Sequence, residues 1–201
     1  LKLYLKAGAC SLSPHIVLEE SGLAYETEAV DLKTKLTASG ADYAALNPKG
    51  YVPALLLDNG VLLTEGPAIV QYLADLVPER QLAPVNGTVE RYQLQSWLTF
   101  IGTELHKSFS AFFNPAASDD WKASVRAGIE RRLGYIDQQL AGKDYLMGAT
   151  FTVADAYLYT VLSWAGFIKL DLAQWPAVAA YYGRVVARPA VQAARKAEGL
   201  A

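Results

Sequence analysis

The chain has 201 residues, 52% of them hydrophobic and 19% charged, with a formal charge of −2. That length suffices to bury a sizeable core as one large domain or two modest ones, and the near-neutral balance gives no electrostatic reason to expect nucleic acid or a membrane surface. A single cysteine, Cys10, excludes a disulfide framework and a zinc ribbon and points to a reducing, cytoplasmic setting. The first residues lack a charged-then-apolar leader pattern, and no apolar run reaches the roughly 18 residues of a spanning helix.

Residues 1–77 read as mixed α/β. Alternation over 2–6 predicts a short strand. Ser13-Pro14 predicts a helix start, with the serine as N-cap and the proline at the first helical position, where its missing N–H costs nothing. This helix runs through Ile16, Val17 and Leu18 and stops near Gly22. Residues 25–30 read as a second strand. Residues 31–50, with Gly40, Asn47, Pro48 and Gly50, read as a long loop with room for one helical turn, and long loops often carry function. Ala54-Leu55-Leu56-Leu57 and Val61-Leu62-Leu63 flank Asp58-Asn59-Gly60, the strongest short-range signal for a hairpin. A helix follows over 67–76. This order of elements resembles a thioredoxin-like domain, a small sheet covered by helices.

Residues 78–88 hold two prolines and an Asn-Gly and read as a linker. Residues 89–201 read as wholly helical, with amphipathic runs over 89–113, 119–140, 153–168 and 176–187 and a short last helix from 189. Thr152-Val153-Ala154-Asp155 fits a capping box, with Asp155 reaching back to the helix start, which assigns that carboxylate a structural role.

Four places carry residue types suited to chemistry. Cys10 lies between the first strand and the first helix, facing the positive end of a helix, where an anion is stabilised and a thiol pKa is lowered. The alternative is an inert buried cysteine. Glu65-Gly66 opens a helix whose N-terminus suits a carboxylate and whose glutamate suits an ammonium, or else serves as ordinary capping. Val52-Pro53 precedes a strand, where a proline removes a ladder donor. Thr99, Thr103 and His106 fall at i, i+4 and i+7 and so share one face of a helix, a polar stripe that suggests a wet crevice between the two halves. A lone histidine amid Leu105, Phe109 and Phe112 is also an ordinary half-buried helix residue.

The segments Ala9-Cys10-Ser11-Leu12-Ser13-Pro14-His15, Asn47-Pro48-Lys49-Gly50-Tyr51-Val52-Pro53 and Leu63-Thr64-Glu65-Gly66-Pro67-Ala68-Ile69 resemble the bacterial beta class of cytosolic glutathione S-transferases. Glu104-Leu105-His106-Lys107 and the Thr152–Asp155 box extend the similarity into the helical half, so it covers essentially the whole chain. The resemblance implies a thioredoxin-like glutathione-binding domain over 1–77, a linker over 78–88, and an all-helical domain over 89–201 that contributes the hydrophobic substrate pocket. It implies glutathione as co-substrate without a permanently bound cofactor, a small hydrophobic electrophile as partner, and a homodimer, with no nucleic acid and no membrane.

The resemblance also assigns residues. Cys10 and His106 are the catalytic candidates. A cis Val52-Pro53 bond turns the Val52 backbone outward to pair with the cysteinyl backbone of glutathione like an added strand. Glu65 and Gly66 take the γ-glutamyl end, Gly66 through its N–H alone, since it lacks the hydroxyl of the serine that relatives often have there. Lys35 meets a carboxylate. Thr99, Thr103 and Glu104 complete the glutathione set, with Thr99 where close relatives tend to have asparagine. Phe109, Phe112, Phe113, Trp164 and Phe167 suit the apolar pocket. His15 is assigned structural work, and Tyr4 is rejected as the catalyst because Cys10 stands beyond a glycine turn at the end of its strand.

The expected activity is conjugation of the glutathione thiolate to small electrophiles, with mixed-disulfide chemistry through Cys10 beside it. The alternatives are a glutaredoxin-like disulfide reductase or reductive dehalogenase that uses glutathione, and a non-enzymatic binder of glutathione or hydrophobic ligands. Cys10-Ser11-Leu12-Ser13 holds no resolving thiol.

Overall fold

The structure, a computed structural model, describes residues 1–200. The chain divides into two units, one of Leu1–Ala83 with the residues from Ala187 onward and one of Pro84–Val186. The first is built on a mixed five-stranded sheet of order β3-β2-β1-β4-β5. Strand β1 (Lys2–Leu5) is central, parallel to β2 (Glu26–Asp31) and antiparallel to β4 (Ala54–Leu56). Leu3, Tyr4 and Leu5 are all buried, as a central strand covered on both faces requires. Tyr4 is 4% exposed and packs against Tyr43 and Val52, so it belongs to the core. Strand β5 (Leu62–Thr64) pairs with β4 across the Asn59-Gly60 turn, where Gly60 has φ 83°. An L side chain would be strained there.

Helix α1 (Leu12–Ser21) joins β1 to β2 and ends on Gly22 in the left-handed region. Its start differs from the Ser13-Pro14 expectation. Ser11 is the N-cap residue, and its hydroxyl is tied to the backbone of Lys6 instead of the helix. Pro14 therefore sits in the first turn, where backbone N–H groups have no intrahelical partner in any case. The Ser13 hydroxyl is buried without a partner among the described residues. The stretch 31–50 is more ordered than a loop: β3 (Leu36–Thr37) pairs with β2, and α2 (Tyr43–Leu46) is capped by Asp42. Helix α3 (Gly66–Leu76) follows β5 directly, one residue earlier than the proline suggested.

The second unit contains α4 (Val89–Phe100), which continues through a π-helical turn (Ile101–His106) into α5 (Lys107–Phe113). It also contains α6 (Asp119–Leu140), α7 (Val153–Leu162) and α8 (Pro176–Val186). Every residue of α7 is buried, and α7 stops at Leu162 instead of running to 168. The Asp155 carboxylate accepts from the Thr152 N–H at 2.8 Å and the Leu146 N–H at 2.9 Å, closing the capping box and tying in the preceding loop. The last helix, α9 (Pro189–Ala197), belongs to the first unit, whereas periodicity grouped it with the helices before it. It packs along α1, with Arg188 on Glu20 at 2.6 Å. Beyond its end Glu198 accepts from the Gly8 N–H at 2.9 Å and meets His15 Nδ1 at 2.8 Å. His15 is 1% exposed, which makes its role structural. Among the described residues no helix is long and apolar enough to cross a membrane.

Candidate active site

In the first unit a set of side chains is gathered on the segment 47–53. The Cys10 thiol, half-buried in the turn before α1, donates to the Val52 carbonyl at 3.2 Å. The Val52-Pro53 peptide is cis. The Tyr51 carbonyl accepts from Tyr43 Oη at 3.0 Å and from Asn47 Nδ2 at 2.9 Å. Asn47 is 1% exposed, so its amide is committed to holding this loop. Lys35, itself at φ 61°, donates its ammonium to the Gly50 carbonyl at 2.5 Å. Lys35 thus lies beside the loop that carries Val52.

Glu65 stands at the N-cap of α3 with φ 71°, a conformation that costs a glutamate energy and points to a functional constraint. Its carboxylate accepts from Lys49 Nζ at 2.5 Å and from Tyr51 Oη at 2.8 Å. Those hydrogen bonds raise the pKa of both donors, since each donor is held by a carboxylate. A Cβ on Gly66 would meet Pro53 Cγ at 3.8 Å, so α3 begins directly against the cis-proline. Cys10, Val52, Pro53, Glu65 and Gly66 therefore form one continuous set with Lys35 at its margin. The set offers a thiol, an exposed carboxylate and the start of an eleven-residue helix, the features that bind a peptide carrying both ammonium and carboxylate groups.

In the second unit the stripe of Thr99, Thr103 and His106 is altered by the π-turn. The Lys107 N–H bonds to the Gly102 carbonyl, an i→i−5 bond that widens the turn. The 3.6-residue spacing does not carry from Thr103 to His106. The Thr103 hydroxyl donates to the Thr99 carbonyl at 3.0 Å. Glu104 is engaged by Arg132 of α6, whose Nε lies at 2.8 Å, so its carboxylate has a structural partner. His106 is half-buried; Nδ1 lies 2.7 Å from Tyr157 Oη, and its ring is 5.0 Å from that of Trp164. Burial, with Lys107 alongside, lowers its pKa to about 4, so the imidazole is neutral at physiological pH.

Of the apolar candidates, Phe109 and Trp164 are core residues packed edge-to-face. Phe113 and Phe167 are exposed, Phe167 at 68%, with ring centroids 5.1 Å apart. Sequence reasoning missed four supporting residues: Tyr43 and Asn47 behind the loop, Lys49 and Tyr51 on Glu65. It also missed Tyr157 on His106. Lys49 and Tyr51 lay inside a recognised motif; Tyr157 gave no local signal, since its partner is far away in sequence.

Both units of the chain resemble known proteins. A family model for the glutathione S-transferase N-terminal domain matches residues 7–76, and one for the C-terminal domain matches residues 100–189. The chain is 52% identical to the glutathione S-transferase GstA of Escherichia coli O157:H7 over 201 residues, covering 100% of both chains. BphK, a bacterial glutathione S-transferase solved as a ternary complex, is 58% identical with a TM-score of 0.98, again covering 100% of both chains. The beta-class glutathione S-transferase of Sphingomonas chungbukensis is 46% identical with a TM-score of 0.97, covering 100% of both chains. With a thioredoxin-like unit, a helical unit and a set built on Cys10, a cis-proline and a glutamate at a helix start, the chain belongs to the glutathione S-transferase family.

Proposed function

We propose that this glutathione transferase binds glutathione along Val52-Pro53, with the γ-glutamyl ammonium on Glu65 and its carboxylate on the Gly66 N–H at the start of α3. Lys35 takes the other carboxylate, and the glutathione sulfur lies by Cys10; the part the family resemblance implies for His106 is that of a neutral hydrogen-bond donor. The observation that carries this reading is the Cys10 thiol, 3.2 Å from the Val52 carbonyl on the loop beside Glu65 and Gly66. The thiolate attacks the electrophilic carbon, the new C–S bond forms, and the leaving group departs with the bonding pair, as halide from an aryl halide. Lowering a thiol pKa by two units takes about 3 kcal/mol of preferential anion stabilisation, within reach of a helix end and one or two hydrogen bonds. Thr99 and Thr103 offer hydroxyls to the peptide; Glu104 serves Arg132 first. The electrophile is small and apolar and uses the exposed Phe113 and Phe167 rings. The working form is a cytoplasmic homodimer; a single cysteine, which can form no internal disulfide, suits that reducing compartment.

A second reading rests on the same thiol. The Cys10 thiolate attacks a glutathione mixed disulfide, forming Cys10–S–S–glutathione and releasing the other thiol. A second glutathione thiolate then frees Cys10 and leaves as oxidised glutathione. Cys10→Ala separates the two. Complete loss of mixed-disulfide reduction with conjugation retained assigns Cys10 to redox work; a fall in both makes it part of the thiolate site; no change in either removes it from catalysis.

A further inference from the structure

We propose that Tyr157 is a positioning residue that fixes the tautomer of His106, holding Nδ1 as a hydrogen-bond acceptor so that Nε2–H is the donor left for the site. This rests on the reading that His106 serves the glutathione sulfur. Tyr157 Oη lies 2.7 Å from Nδ1, a full-strength hydrogen bond. A phenol is the better acid of the pair and an imidazole nitrogen the better base, so the bond runs from O–H to Nδ1 rather than from Nδ1–H to the phenol.

The surroundings make the pairing specific. Tyr157 is 5% exposed on α7, a helix buried along its whole length and anchored by the Asp155 box, so its hydroxyl is fixed in place. The tyrosine and histidine rings meet edge-on at 85°, and Trp164 packs against the same imidazole at 5.0 Å. On the His106 side, the π-turn sets the backbone, and the Tyr157 hydroxyl passes over Gly102, where an added Cβ would be 3.5 Å away. Burial keeps the imidazole neutral, and a neutral imidazole has a single N–H. The two tautomers therefore do opposite work. With the proton on Nε2 the ring donates to a thiolate; with the proton on Nδ1 it offers a lone pair and acts as a base.

The chain has two histidines, His15 and His106, so nitrogen-15 labelling of histidine in the full-length protein gives two imidazoles. The H106Q protein assigns them. The wild type is expected to show His106 as a single tautomer, protonated on Nε2 and unprotonated on Nδ1. In Tyr157→Phe the ring nitrogen shifts move to those of a tautomer mixture. In the same variant kcat for conjugation falls about fivefold, the size of one lost hydrogen bond, while KM for glutathione changes less. A wild-type His106 protonated on Nδ1 overturns the proposal without any variant, as does a Tyr157→Phe protein whose His106 stays wholly protonated on Nε2. If the tautomer is as proposed but the wild type does not turn over glutathione, the assigned activity fails and the positioning role stands.

Discussion

Replacing His106 with glutamine changes the dependence of stability on pH by an amount the structure sets. The folded imidazole has its pKa lowered to about 4 by burial, whereas an unfolded histidine titrates near 6.5. Below pH 6.5 the unfolded chain binds a proton that the folded chain refuses until about pH 4, so this group's stabilisation is complete above 6.5 and is lost as pH falls. Between pH 7 and pH 5 the loss is about 2 kcal/mol. Asp155 opposes it. Complete burial pushes its carboxyl up to about 6, despite donation from the Leu146 and Thr152 N–H groups and the Thr152 and Tyr181 hydroxyls. A raised carboxyl gains stability as pH falls, here by about 1 kcal/mol over the same interval. From these two groups the wild type therefore loses only about 0.5 kcal/mol between pH 7 and pH 5, and His106→Gln gains about 1 kcal/mol. Urea unfolding at both pH values and one fixed protein concentration reads the difference. A glutamine variant whose change between the two pH values matches the wild type within about 0.5 kcal/mol would refute the argument that His106 is buried neutral.

Two further substitutions test other parts of the molecule. Lys49 sits on the Glu65 carboxylate where a γ-glutamyl ammonium would dock, so Lys49→Met is expected to tighten glutathione binding about twofold, the small effect of an exposed ion pair. Calorimetric titration reads this, and weaker binding instead would make Lys49 a ligand to glutathione. Asp155→Ala strips the acceptor from the buried Leu146 and Thr152 N–H groups, and at about 1–3 kcal/mol for each unsatisfied donor it should cost about 2–6 kcal/mol. Any fall in specific activity of the folded fraction should stay within the roughly fivefold expected of Tyr157→Phe, since the box acts on the site only by anchoring α7; a far larger fall at full stability would refute the structural role of Asp155.

What was legible in the sequence depended on contacts within a few residues. The Asn59-Gly60 hairpin, the Gly22 helix stop and the Thr152–Asp155 box each satisfy their backbone groups locally, and each appears where its residues predict. The thioredoxin-like order of elements followed from such signals, whereas the readings at Cys10, Val52-Pro53 and Glu65 came from the resemblance of their motifs to the family. Two-residue β3 was not legible, because it exists only as a partner to β2. Nor was the start of α1: Ser11 and Ser13 are both of a residue type that caps helices, but the Ser11 hydroxyl is held by the backbone of Lys6 and the Ser13 hydroxyl has no partner among the described residues, so neither side chain caps the helix.

The sequence by itself determined the family, the two kinds of architecture and the residue types available for thiol chemistry, because those lie in short motifs and local periodicities. Only the tertiary structure decided which side chains hold the candidate site residues. Tyr157 reaches His106 across 51 positions, and Glu198 closes on Gly8 and His15 from 190 and 183 positions away. Lys49 and Tyr51 take up Glu65 through a loop that Tyr43 and Asn47 fix in space. The physical reason is that hydrogen bonds and burial act through space. The period of a helix or strand fixes where a residue lies on its own element and leaves open which distant group completes it.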